Sequence, residues 1–174
     1  MSTALSELEC MIQEAMAFAI ERHGDQKYGD APYSVHLESV LRIAREFELD
    51  RSSLIAAPLH DTLEDTETTR EELCTRFGEE PALLVFCVTG SGPNRKARQK
   101  SIVEKLLAEP RAVNLKLCDR IANVEAANAA GRHSIVKMYR SEQPLYDAVF
   151  RQGKAELYAR LLRAFQGSGG DSFS

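Results

Sequence analysis

Ala56-Ala57-Pro58-Leu59-His60-Asp61-Thr62-Leu63-Glu64-Asp65-Thr66 is the most informative stretch of the chain. An apolar, helix-spaced run passes within six residues into one imidazole and three carboxylates. If the helix continues, His60 and Glu64 share one face, and Asp61 and Asp65 do likewise. Three carboxylates this close repel one another unless something positive sits among them, and a divalent cation would serve. Taken alone, the stretch also reads as a solvated acidic face, extended by Glu67. Pro58 lacks an amide donor and is expected to kink or restart the helix just before His60.

Moving outward, the helical period holds nearly everywhere. Leu5, Leu8, Ile12, Ala15, Met16 and Ala19 recur at three- and four-residue steps, up to an exit at His23-Gly24. Gly29-Asp30-Ala31-Pro32 reads as a turn or loop, after which Val35 to Phe47 resumes the period. Asp50 is placed to cap the helix that enters Leu54-Ile55. Thr69-x-x-Glu72 resembles a capping box for a helix ending near Gly78. Pro81 suits the first turn of the next helix, and Gly90-Ser91-Gly92-Pro93 is the clearest internal loop. Further helices are expected over Lys96–Ala108, Arg111–Ala130, Ser134–Phe150 (interrupted by Pro144) and Lys154–Phe165. Val85 to Val88 has strand-like composition with helical flanks, and no convincing strand pairs occur. The expected fold is all-α, a compact bundle over residues 1–166, with Gly167 to Ser174 a disordered tail.

Two further positions change the reading of the acidic stretch. Pro32-Tyr33-Ser34-Val35-His36 puts a second histidine on another helix, and Lys116-Leu117-Cys118-Asp119-Arg120 puts an aspartate inside an apolar one. Singly, His36 reads as a satisfied core histidine and Asp119 as a partner of Lys116 or Arg120. Together with His60 and Asp61 they form a mixed nitrogen and oxygen set, better suited to manganese, iron or zinc than to calcium or magnesium.

The bulk numbers agree with a globular enzyme. The 174 residues favour one domain, 44% of them are hydrophobic, and the net charge of −4 argues against a general nucleic-acid binder. Four cysteines without a C-x-x-C pair read as reduced thiols in a cytoplasmic protein. No signal peptide and no membrane span are expected.

The order H…HD…D resembles the HD phosphohydrolase superfamily. More narrowly, His23-Gly24-Asp25-Gln26, Pro32 to His36, Ala56 to Thr66, Arg76-Phe77-Gly78, Val88-Thr89 and Val113 to Val124 resemble the hydrolase domain of the RelA/SpoT alarmone enzymes and the small stand-alone alarmone hydrolases. The likeness runs over roughly residues 15 to 150. It implies an HD-domain helical bundle in which His36, His60, Asp61 and Asp119 hold one divalent ion. Manganese is the usual ion, with iron, zinc and cobalt as alternates. Glu64 and Asp65 match the acidic pair that orients or deprotonates the attacking water. The implied reaction removes the 3′-pyrophosphate of guanosine tetra- or pentaphosphate. Asn123 matches an asparagine near the nucleoside. Lys27 stands where the long enzymes often carry arginine, keeping the charge while losing bidentate geometry. Arg95 and Lys96, in Asn94-Arg95-Lys96-Ala97-Arg98, form a basic rim that also resembles the small hydrolases and would attract phosphate. Lys116 and Arg120 are further phosphate candidates, or partners of the acidic ligands.

Other features read more simply. Gly90-x-Gly92 is a turn, since it lacks the third glycine of a dinucleotide loop. His23 is a helix-end or pocket-wall group, and His133 a surface residue. No synthetase region is expected. The alternatives are an HD phosphatase acting on a nucleoside monophosphate, a deoxynucleotide or NADPH, and a non-catalytic nucleotide-sensing module. The expected partner is a small nucleotide, not nucleic acid or membrane, and a symmetric homodimer is the general prior for small helical enzymes.

Overall fold

The computed structural model describes residues 2–167, with side chains from residue 7 onward. The expected disordered tail, Gly167 apart, lies outside the described residues. Helix α1 (Ser2–His23) leads into a hairpin of β1 (Lys27–Tyr28) and β2 (Ala31–Pro32). Then come α2 (Ser34–Glu46), α3 (Arg51–Leu59), the single turn α4 (Thr62–Asp65), α5 (Arg70–Phe77) and α6 (Glu79–Val88). After α7 (Arg95–Ala108), a 3-10 turn at Pro110–Ala112 opens α8 (Val113–Ala129), and α9 (His133–Phe150) and α10 (Ala155–Gln166) complete the bundle. Among the described residues no helix is long and apolar enough to cross a membrane.

Helix α8 is the axis of the fold, packed against α2, α9 and α10. It is buried nearly all round, through Val113, Leu115, Leu117, Cys118, Ile121 and Val124. A helix enclosed on every side normally carries only apolar residues. This one also buries Lys116, Asp119 and Arg120, so its middle turn must find polar partners inside the core. Helix α2 does the same on a smaller scale: His36 stands in line with Val40 and Ala44 on the buried stripe. The predicted caps form, Asp50 accepting from the Ser53 amide and Thr69 from the Glu72 amide.

Two local expectations need correction, at Gly29 to Pro32 and at Pro144, and those for Val85 to Val88 and for Pro58 are met. Gly29 to Pro32 is half of a hairpin, in which Lys27 pairs with Pro32 and Tyr28 with Ala31. Val85 to Val88 is helical, inside α6. Helix α9 runs unbroken through Pro144, which lies on its exposed side, while Tyr146, Val149 and Phe150 anchor the turns beyond it. At His60 the restart expected from Pro58 is present: α3 closes at Leu59, directly after this buried proline, and the chain restarts at Thr62. The break at His60 and Asp61 turns both side chains toward the same point, which an unbroken helix would have spread over two faces.

Candidate metal centre and adjoining cavity

The Nε2 atoms of His36 and His60 face each other at 3.1 Å, and both rings are buried. Asp119 Oδ1 lies 3.4 Å from the first and 3.6 Å from the second. One ligand atom from each of these three residues falls within 4.8 Å of the others. Asp61 Oδ2 adds a fourth, 2.8 Å from His60 Nε2 and 3.5 Å from His36 Nε2. The structure thus brings together all four residues that the sequence singled out as ligands.

His60 Nδ1 sits 2.8 Å from the carbonyl of Ala57. That carbonyl can only accept, so Nδ1 carries the proton and Nε2 is free to present its lone pair to the centre. A backbone carbonyl behind a ligating imidazole is the usual way a protein fixes that tautomer. Asp119 is held from behind by Lys116 Nζ at 2.8 Å and by Asn123 Nδ2 at 2.6 Å. Tyr33 donates its hydroxyl to Asp61 at 2.6 Å. Burial alone would drive the imidazoles toward neutrality. The Asp61 and Asp119 carboxylates outweigh it, raising His36 and pushing His60 up to about 10. The same contacts, chiefly His60 for Asp61 and Lys116 for Asp119, hold both carboxyls well below their usual range despite burial. Such a cluster demands positive charge at its centre, and its two nitrogens and two oxygens suit a divalent transition ion.

Of this cluster, His36, Asp61 and Asp119 line a polar cavity of about 160 Å³, walled also by Glu64, Asp65, Arg95 and Gln99. Glu64 accepts from the Gly90 amide at 2.9 Å, and Asp65 accepts from Tyr33 at 3.3 Å. A second cavity of about 470 Å³ adjoins it, sharing Asn123 and Tyr139. Its walls are Ala126, Ala127, Ala130, Ile135 and Met138, with Tyr28 on the hairpin side. Tyr28 stacks on His36 at 4.7 Å between ring centroids and donates to Asn123 Oδ1 at 3.0 Å.

The expected substrate groups are placed unevenly. Asn123 stands between the two cavities. Arg95 lines the polar one, gripped by Glu142 at 2.6 Å. Lys116 is committed to Asp119. Arg120 is 1% exposed, bonded to Glu142 and Gln99, with its guanidinium 4.2 Å above the Tyr146 ring. Lys27 and Lys96 are exposed and line neither cavity. His23 is the helix-end group expected, closing α1 and stacked on Tyr33 at 4.3 Å, and lines neither cavity. Sequence reasoning missed Tyr28, Tyr33, Gln99, Tyr139 and Glu142. Tyr33 had a signal, since it stands three residues before His36 and so on the same side of the first turn of α2. The others meet the site only through tertiary contacts.

Comparison with known proteins gives a consistent picture. The HD domain family profile matches residues 15–152. A guanosine-3′,5′-bis(diphosphate) 3′-pyrophosphohydrolase of Aquifex aeolicus (strain VF5) is 45% identical over 120 residues, covering 66% of this chain and 17% of that protein. A GTP pyrophosphokinase rsh of Brucella ovis is 34% identical over 125 residues, covering 67% of this chain and 17% of that protein. The chain therefore spans about a sixth of the length of these curated relatives. A solved structure described as a metazoan ortholog of SpoT that hydrolyzes ppGpp superposes with a TM-score of 0.75 at 24% identity, covering 90% of this chain and 94% of that one. That likeness establishes the fold.

Proposed function

This chain belongs to the HD domain family, and from that premise we propose that it is a metal-dependent phosphohydrolase that removes the 3′-pyrophosphate of guanosine tetra- or pentaphosphate. The observation that carries the reading is the convergence of His36, His60, Asp61 and Asp119 on one point, three of them lining a polar cavity that adjoins a larger one. The polar cavity suits the scissile pyrophosphate, and the larger, mostly apolar one suits a nucleoside. The names of the Aquifex relative and the structural neighbour point to the same substrate.

In this reading His36, His60, Asp61 and Asp119 hold the ion, manganese first and iron, zinc or cobalt as alternates. When bound, the ion supplies a Lewis acid that acidifies water and polarises a phosphoryl oxygen. Glu64 and Asp65 orient the water and take its proton. The new bond forms between the water oxygen and phosphorus. The bond from phosphorus to the ribose 3′ oxygen breaks, and that oxygen leaves with a proton. Asn123 positions the nucleoside while holding Asp119. Arg95 meets the phosphates at the rim by exchanging Glu142 for them, and Lys27 and Lys96 act from farther out, as attracting charges. Lys116 and Arg120 serve the phosphates indirectly, through Asp119 and through Glu142. The partner is a small nucleotide, the compartment the cytoplasm, and the assembly to test a symmetric homodimer.

The deciding experiment is turnover by the purified, manganese-loaded protein. Guanosine tetraphosphate is set beside nucleoside mono-, di- and triphosphates, deoxynucleotides and NADPH. Pyrophosphate released from the tetraphosphate alone is the expected result. Turnover of another compound only would move the substrate. No turnover of anything by metal-loaded protein would refute the enzyme reading.

A further inference from the structure

The turn between α6 and α7 makes an approach to α7 that only glycine permits. A Cβ on Gly90 would fall 2.7 Å from Arg98 Cβ. One on Gly92 would fall 2.7 Å from Ala97 Cβ, and Gly92 also sits at φ +138°, where other residues are strained. The turn is then fastened to α7: the Ser91 amide donates to Ser101 Oγ at 2.8 Å, and Lys105 Nζ donates to the Thr89 carbonyl at 2.5 Å. What this arrangement delivers is a carboxylate hydrogen-bonded at one oxygen and faced by a guanidinium at the other. The Gly90 amide donates to Glu64 Oε2 at 2.9 Å, and Arg98 Nε lies 3.7 Å from Oε1.

We propose that the Gly90-Ser91-Gly92 turn and Arg98 form a mount that fixes the Glu64 carboxylate at the wall of the metal-site cavity, with Arg98 a positioning residue for the hydrolysis. The proposal rests on the role given above to Glu64. A partly exposed ion pair at 3.7 Å adds little stability, so orientation is the benefit left to explain it. A carboxylate has about four lone-pair directions, so one hydrogen bond from Gly90 and the Arg98 ion pair leave room for a water molecule. The neighbouring acid is held more loosely, Asp65 meeting only Tyr33 at 3.3 Å and Gln26 at 3.4 Å. Hydrolysis is sensitive to misplacement on the scale of about an ångström, and the mount supplies that placement.

The test is a kinetic comparison of Arg98→Met, Arg98→Lys and the surface control Lys100→Met in the full, manganese-loaded chain. Arg98→Met is expected to lower kcat about tenfold, with KM and manganese affinity within about twofold of the parent. Arg98→Lys should recover part of the loss, and Lys100→Met should change nothing. On a Glu64→Gln background Arg98→Met should cost nothing more, because the two act as one unit. A full kcat in Arg98→Met, a loss expressed only in KM, or an equal added loss without Glu64 would overturn the mount. Amide exchange at Gly90 separates this from failure of the enzyme reading. Glu64→Ala should accelerate it well beyond Lys100→Met even if no substrate is turned over, and unchanged exchange would also overturn the proposal.

Discussion

The two cavities lie side by side and are built on opposite principles. The smaller is almost wholly polar, its groups paired at 2.6 to 3.6 Å, and three of the four candidate ligands are hydrogen-bonded by a second residue: His60 by Ala57, Asp119 by Lys116 and Asn123, Asp61 by Tyr33, while His36 rests against the Tyr28 ring with its buried Nδ1 unpaired. The larger is walled mostly by small and apolar side chains, with Asp30, Arg132 and the Tyr28–Asn123 hydrogen bond among them. A dense set of mutual contacts leaves little freedom to vary, whereas alanines and a methionine can be exchanged with only local repacking. On the function proposed above, reaction type would be set by the tightly bonded centre and substrate choice by its more adjustable neighbour.

The strongest way to break that division is to remove a ligand. His60→Ala or Asp119→Ala should abolish detectable manganese binding by metal analysis and cut turnover by more than about a thousandfold. Persistence of a stoichiometric metal ion in either variant would show that the rigid centre is elsewhere. Next in size, Glu64→Gln should keep the metal and lose roughly a hundred- to ten-thousandfold in kcat; full activity with any accepted substrate would remove the acid–base role. A third change addresses the adjustable side. Ala126→Leu, which fills the larger cavity, should raise KM for the nucleotide about tenfold while kcat changes less, as expected for lost uniform binding. A fall in kcat alone would mean that the two cavities are not separable as drawn.

The smallest effect concerns pH. In the metal-free protein His60 is raised from 6.5 to about 10, so its contribution to stability is complete below pH 6.5 and is lost as pH climbs toward 10. Asp61 and Asp119 are lowered from 3.8, so theirs is present above that value and is lost as pH falls. A metal ion needs neutral imidazoles and displaces those protons. The rise in Tm on adding manganese should therefore be larger at pH 9 than at pH 6. Equal or opposite shifts would count against His36 and His60 as ligands.

The same contrast governs what could be read from the sequence. The helices were legible because their apolar period is strong, as in Leu157, Leu161 and Phe165 of α10. The residues of the candidate metal centre were legible because chemistry this dense leaves few residue types to choose from. The break at His60 was legible from Pro58, but the same rule failed at Pro144, since a proline near the end of a helix and one tolerated inside it differ only in context. The larger cavity was invisible, because alanine, isoleucine and methionine look the same in a core and around a hollow. The hairpin escaped because two-residue strands carry no period.

Tyr28 belongs to both halves of the molecule. Its ring lies against His36, its hydroxyl reaches Asn123, and Asn123 holds Asp119. A nucleoside pressing on that ring therefore touches the ion's own supports, and an ion tightening its ligands reshapes the nucleoside's wall. Thermodynamic linkage makes such an influence reciprocal: whatever factor nucleotide adds to metal affinity, metal must add to nucleotide affinity. Cofactor and substrate would then be cooperative guests, and the free concentration of the ion would tune how eagerly the protein takes up its nucleotide.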